Sequence, residues 1–134
     1  GRKMSKSYGN TIEMFATEAQ IRKSIDRIVT DSKGLDEPKD LEGNLIYQLY
    51  RIVASPAETE EMAARFRKGG YGYGHAKKEL LGKLLDHFGL ARKRREALAR
   101  DPARVFEILQ DGAERPLRVA RATMERVRER IGLR

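Results

Sequence analysis

Ser55-Pro56-Ala57-Glu58 is the most legible stretch of this chain, and it decides the fold. Serine suits an N-cap. Proline suits the first helical position, where no N–H is needed, and glutamate three residues after the cap can reach back to the cap's own N–H. The spacing predicts a helix over 56–68 that stops at Gly69-Gly70. Upstream, Leu41, Leu45, Ile46, Leu49, Ile52 and Val53 form one broad apolar stripe, predicting a helix that runs to Ala54. Further upstream, Thr17-Glu18-Ala19-Gln20 is a second capping box. Ile21, Ile25, Ile28 and Val29 follow it with helical spacing, predicting a helix over 18–30.

Downstream, Ala76, Leu80, Leu81, Leu84, Leu85 and Phe88 mark a helix that can continue past Gly89 to Arg100. Asp101-Pro102 caps the next one, with Val105, Phe106, Ile108 and Leu109 as its apolar side. Leu117, Ala120, Met124, Val127 and Ile131 recur in steps of three and four, predicting a separate last helix with Pro116 in its first turn, where a missing N–H does no harm. No segment alternates with a period of two. The fold class is therefore all-α, a bundle of five to six helices preceded by a flexible loop over residues 1–12. The expected core contains Ile21, Ile25, Leu45, Leu49, Leu81, Leu85, Phe106, Leu109, Leu117, Met124 and Val127.

The 134 residues suffice for one domain with a real core, and the absence of cysteine excludes disulfides, thiolate nucleophiles and Cys-ligated metals. No apolar run approaches the roughly 18–20 residues that span a bilayer, so a soluble protein of a reducing, cytoplasmic compartment is expected. The net charge of +8 is unevenly spread. Residues 1–67 hold 11 Lys/Arg and 11 Asp/Glu, whereas residues 68–134 hold 17 and 9. Such asymmetry points to a polyanionic partner for the second half, or to a solvated helix face rich in arginine. Gly1 rather than Met opens the chain, which reads as a piece of something longer.

Few residues carry chemistry. His75 and His87 are the only histidines and have no carboxylate pattern around them, so no metal site is expected. Ser5, Ser7 and Ser24 have no His/Asp constellation. The four glycines of Gly69-Gly70-Tyr71-Gly72-Tyr73-Gly74 could cradle a phosphate, but no strand precedes them and the tyrosines fit no phosphate-loop fingerprint. Two features stand out. One is the Arg-rich second half; the other is Lys3-Met4-Ser5-Lys6-Ser7, where two point charges and two hydroxyls share a short flexible stretch followed by Gly9. That chemistry suits a triphosphate.

Lys3-Met4-Ser5-Lys6-Ser7 also resembles, letter for letter, the second signature of the class I aminoacyl-tRNA synthetases. The continuation is similar to the stretch that follows it in bacterial tryptophanyl-tRNA synthetases: Tyr8-Gly9-Asn10-Thr11-Ile12, Ile21-Arg22-Lys23, Thr30-Asp31-Ser32, Asn44-Leu45-Ile46-Tyr47-Gln48-Leu49-Tyr50, Gly72-Tyr73-Gly74 with Lys77, and Gly112-Ala113-Glu114 with Arg118-Val119-Ala120. The doubled Gly-Tyr-Gly, His75-Ala76 and Pro116 depart from that pattern.

The resemblance implies a C-terminal portion of such an enzyme. Residues 1–12 would be the ATP-binding end of its catalytic domain, and residues 13–134 a helical domain receiving the anticodon of tRNA(Trp). Lys3, Met4, Ser5, Lys6 and Ser7 would bind the ATP phosphates, with Lys6 the catalytic group as pyrophosphate leaves. Arg92, Lys93, Arg94, Arg95, Arg118 and Arg121 are the candidate RNA-binding residues. The full-length enzyme would use ATP with Mg, take tryptophan in its missing N-terminal domain, and form a homodimer in the cytoplasm. The His-x-Gly-His signature is absent here, so this chain alone would be inactive. A stand-alone helical RNA-binding domain and a non-catalytic helical scaffold are the alternatives.

Overall fold

In the computed structural model, which describes residues 3–133, those residues form a single 3-10 turn, Lys6–Tyr8, and six α-helices. These are α1 (Glu18–Asp26), α2 (Leu45–Val53), α3 (Pro56–Lys68), α4 (Tyr73–His87), α5 (Gly89–Arg100) and α6 (Pro102–Arg130). No strand occurs among the described residues. The chain divides into two compact units, residues 1–92 and residues 93–134.

The capping signals act as their spacing predicts. Ser55 Oγ accepts the N–H of Glu58 at 3.4 Å while Glu58 Oε2 accepts that of Ser55 at 2.9 Å, and α3 has the predicted bounds. Thr17 and Gln20 form the same reciprocal pair ahead of α1. That helix ends at Asp26 rather than 30, because Lys77 Nζ, reaching over from α4, donates to the carbonyls of Asp26 at 2.7 Å and Ile28 at 2.9 Å and so terminates the backbone ladder. α2 begins after Asn44, whose side chain accepts the N–H of Tyr47 at 3.2 Å, so Leu41 lies in the preceding loop.

In the first unit, α2 packs against α3 and α4, and α1 against α4. Their common core is Ile21, Ile25, Ile46, Tyr47, Tyr50, Met62, Ala63, Phe66, Tyr71, Ala76, Leu80, Leu81 and Leu84. The connection 34–40 is pinned beneath α3 by a buried cation: Lys39, 3% exposed, donates from Nζ to the carbonyls of Gly34, Leu35 and Glu37 at 2.8, 3.1 and 3.0 Å. Its backbone N–H donates to the Phe66 carbonyl at 2.8 Å, and the Gly70 N–H donates to the Leu35 carbonyl at 3.0 Å. Gly69 has φ +80°, and a Cβ there would stand 2.3 Å from the Asp36 carbonyl oxygen. The glycine-rich segment therefore serves close packing against this connection.

Three expectations need correction. Phe88 (φ −93°, ψ 4°) separates α4 from α5, so no single helix reaches Arg100. α6 runs unbroken through Pro116, uniting what the sequence suggests are two helices. Pro116 has no N–H to donate to the carbonyl of Gly112, so one hydrogen bond is lost from a long ladder that continues on both sides of it. The core also lies elsewhere: Phe106, Leu109, Leu117, Met124 and Val127 are 69, 63, 48, 46 and 41% exposed, and no residue of α5 or α6 is buried. On α2 the buried face is rotated by one residue. Leu45 is exposed and Ile46 is buried, while Leu49 and Leu85 only flank the core.

Candidate functional site

The signature residues fold into one braced turn. Ser5 is extended (φ −150°, ψ 141°), Lys6–Tyr8 make the turn, and Gly9 leaves it with φ 62° and ψ 20°, the left-handed conformation that glycine adopts without strain. The Tyr8 N–H donates to the Ser5 carbonyl and the Gly9 N–H to the Lys6 carbonyl, both at 3.1 Å. Across its mouth, the Ser5 N–H donates to Asn10 Oδ1 at 2.8 Å, and the hydroxyls of Ser5 and Ser7 are bonded to each other at 2.8 Å. Lys3, Met4, Lys6 and Ser7 are exposed and Ser5 is half-buried. Among the described residues neither Lys3 nor Lys6 is in an ion pair. Two unneutralised ammonium groups and two hydroxyls on a closed turn can hold a polyphosphate.

Beside the turn lies a mainly apolar groove of about 480 Å³, walled by Met4 and Gly9 to Ile12 on one side and by Ile28, Val29, Leu45, Leu49 and Ile52 on the other. After Ile12 the chain makes a second turn, where the Ala16 N–H donates to the Glu13 carbonyl at 3.0 Å, and then enters the capping box of α1. The carbonyl of Met14, in that second turn, accepts a hydrogen bond from Arg92 Nη1 on α5.

The structure separates the basic residues. Arg92 is half-buried and closes the first unit, whereas Lys93, Arg94, Arg95, Arg118 and Arg121 are exposed and belong to the second. Among the described residues, none of Lys93, Arg94, Arg118 and Arg121 is in an ion pair. From Lys93 to the C-terminus there are 12 Lys/Arg against 7 Asp/Glu. No group of acidic and histidine side chains that could hold a metal ion occurs among the described residues, and no helix of theirs is long and apolar enough to cross a membrane. Sequence reasoning missed two contributors to the site, the brace of Asn10 and the internal bond of Arg92. Asn10, next to a glycine at a turn exit, carried a readable signal; the bond from Arg92 spans 78 positions and carried none.

This signature turn, followed by helices, places the chain in a known class. The model of the family "tRNA synthetases class I (W and Y)" matches residues 1–89, and the chain belongs to that family. Its relatives narrow the likeness to the tryptophan enzymes. It is 46% identical over 134 residues to the tryptophan–tRNA ligase of Rhodopirellula baltica and 40% identical over 133 residues to that of Fusobacterium nucleatum. It covers 42% and 41% of their lengths. Its structure matches the crystal structure of tryptophanyl-tRNA synthetase from Campylobacter jejuni with a TM-score of 0.95 at 39% identity, over 98% of this chain and 43% of that one. The same enzyme complexed with ADP and tryptophan matches with a TM-score of 0.95. The chain thus spans about two fifths of the length of the curated relatives it matches.

Proposed function

We propose that this chain is the phosphate-facing loop and the tRNA-facing helical part of a tryptophan–tRNA ligase, with residues 1–12 acting on ATP and residues 13–134 receiving tRNA(Trp). One observation carries the first half of this reading: Lys3 and Lys6, exposed and outside any ion pair among the described residues, share a single braced turn with Ser5 and Ser7. In activation a carboxylate oxygen of tryptophan bonds to the α-phosphorus of ATP. The bond from that phosphorus to the bridging oxygen breaks, and pyrophosphate leaves with the electron pair. Negative charge grows on the leaving group, and a fixed ammonium group there stabilises the transition state more than the ground state. Lys6 takes that role, Lys3 adds charge, and Met4, Ser5 and Ser7 shape the turn. Any Mg²⁺ would belong to the nucleotide substrate, and none of these residues is assigned to hold it.

The second half rests on charge. Lys93, Arg94, Arg95, Arg118 and Arg121 form an exposed arginine-rich set suited to phosphate and to splayed loop bases, with Arg92 immediately before it in the chain. A homodimer in the cytoplasm follows from the same reading, with the tryptophan pocket in the preceding part of the protein. The test is tryptophan-dependent ATP–pyrophosphate exchange by the full-length protein. Exchange that requires tryptophan and collapses in Lys6→Ala supports the reading; exchange indifferent to tryptophan or to Lys6 overturns it.

A further inference from the structure

We propose that Arg92 is a positioning residue for the phosphate-facing turn, acting through the carbonyl of Met14; this rests on the function proposed above. The turn is a closed body: Asn10 holds Ser5 across its mouth, and two backbone hydrogen bonds close it within. Such a body moves as a unit about the residues that join it to the fold. Those residues are few. Ile12 and Met14 flank the hydrophobic core, and the turn over 13–16 leads directly into the capped start of α1. On the C-terminal side, the position of Lys6 therefore depends on how firmly residues 11–16 are held.

Side-chain packing alone leaves a connecting segment rotational freedom, whereas a hydrogen bond to its backbone fixes the peptide plane. Arg92 supplies that bond. It extends from the first turn and a half of α5, one helical turn beyond Phe88, which itself flanks the core. A charged donor makes this bond stronger than a neutral one, and the arginine's four other N–H groups stay available. Burial agrees: Arg92 is half-buried while Lys93, Arg94 and Arg95 are exposed. A residue serving only as an RNA contact has no need to spend its guanidinium on the backbone of the segment behind the ATP-facing turn. Because placement errors of an ångström can cost about 10²-fold in rate, an anchor at this point bears on the chemistry without touching it.

The experiment compares Arg92→Met and Arg92→Lys in the full-length protein, each alone and combined with Lys6→Ala. It follows tryptophan-dependent pyrophosphate exchange, tRNA charging and thermal unfolding. Arg92→Met keeps the length and loses the donor; kcat for exchange is expected to fall about tenfold while the ATP KM changes less than about twofold. Arg92→Lys, which retains a donor, is expected to recover activity to within about threefold of the wild type. In the Lys6→Ala background, Arg92→Met is expected to cost clearly less than alone, because the group whose placement matters most is already gone and only Lys3 and the serines remain to be positioned. Unchanged exchange with a raised tRNA KM would make Arg92 an RNA contact and overturn the proposal. So would a full tenfold loss on top of Lys6→Ala, or a lysine variant no better than methionine. A wild-type protein without exchange would remove the underlying reading as well, an outcome distinct from an active wild type indifferent to Arg92.

Discussion

The backbone N–H of Ser5 donates to Oδ1 of Asn10 at 2.8 Å, so the side chain of one residue closes the ring that carries Lys6. Replacing Asn10 by Ala removes the acceptor and lets the turn open. In the full-length protein we expect kcat for tryptophan activation to fall about tenfold, the size of effect that loss of a preorganised geometry produces. Asn10→Asp keeps an acceptor at the same reach and should retain most of the rate. Pyrophosphate exchange kinetics of the two variants check this.

Lys6 should behave as a transition-state group. Lys6→Ala is expected to lower kcat for adenylate formation by roughly 10²-fold or more and to change the ATP KM much less, as removal of one fixed stabilising group does. A raised KM at unchanged kcat would make it a ground-state binder.

The exposed cations of the second unit should read out in salt. Replacing Lys93, Arg94, Arg118 and Arg121 by Glu is expected to raise the KM for tRNA at least tenfold. It should also flatten the dependence of log affinity on log salt by about 0.7–0.9 for each RNA phosphate that is no longer neutralised. An unchanged salt slope would assign these side chains to solvent.

Acid should expose the contribution of Glu58. The hydrogen bond from Lys83 and those from the Ser55 N–H and hydroxyl hold its carboxyl down to about 2, against an ordinary value of 4.5. The folded state thus favours the ionised form, and the resulting stability is present above the ordinary value and lost as the pH falls toward about 2. The expected result is a gap in Tm between the wild type and Glu58→Gln that is open at neutral pH and closes between the two values. A gap constant with pH would contradict it.

Lys39 should be intolerant of change. Lys39→Met keeps the buried stem and removes the donor to the part-buried carbonyls of Gly34 and Glu37, while that of Leu35 keeps the Gly70 N–H, at a cost of up to about 1–3 kcal/mol for each carbonyl left unpaired. Thermal unfolding should shift down by about 10 °C or more; a shift within a degree or two would mean that water replaces the ammonium group.

Legibility followed the range of the forces involved. Ser55-Pro56-Ala57-Glu58 and Thr17 with Gln20 were readable because a capping box is a local device whose partners lie three residues apart. The face of α2 was misjudged because Tyr47 and Tyr50 are buried with Ile46, and amphipathic tyrosines do not announce a core position as leucine does. Pro116 suggests a helix boundary, since a ring inside a helix is costly, and no local signal reveals that the ladder continues through it. The signature turn was legible as a motif from its lysines and serines. Its placement was not, because Arg92 and Met14 meet only through the tertiary fold.

α6 holds 29 residues without a single buried side chain among them. At 1.5 Å per residue it is a rod about 43 Å long, and most of the stability of protein helices comes from packing an apolar face rather than from the backbone ladder. Its order is therefore conditional on its surroundings. Whatever surface takes up the stripe of Leu109, Leu117, Met124, Val127 and Ile131 also sets how much of the rod is helical, so a tRNA affinity measured with the isolated chain contains a folding equilibrium as well as a contact energy. Amide exchange along residues 102–130, compared between this chain and the full-length protein, would express that equilibrium as a protection factor for each turn.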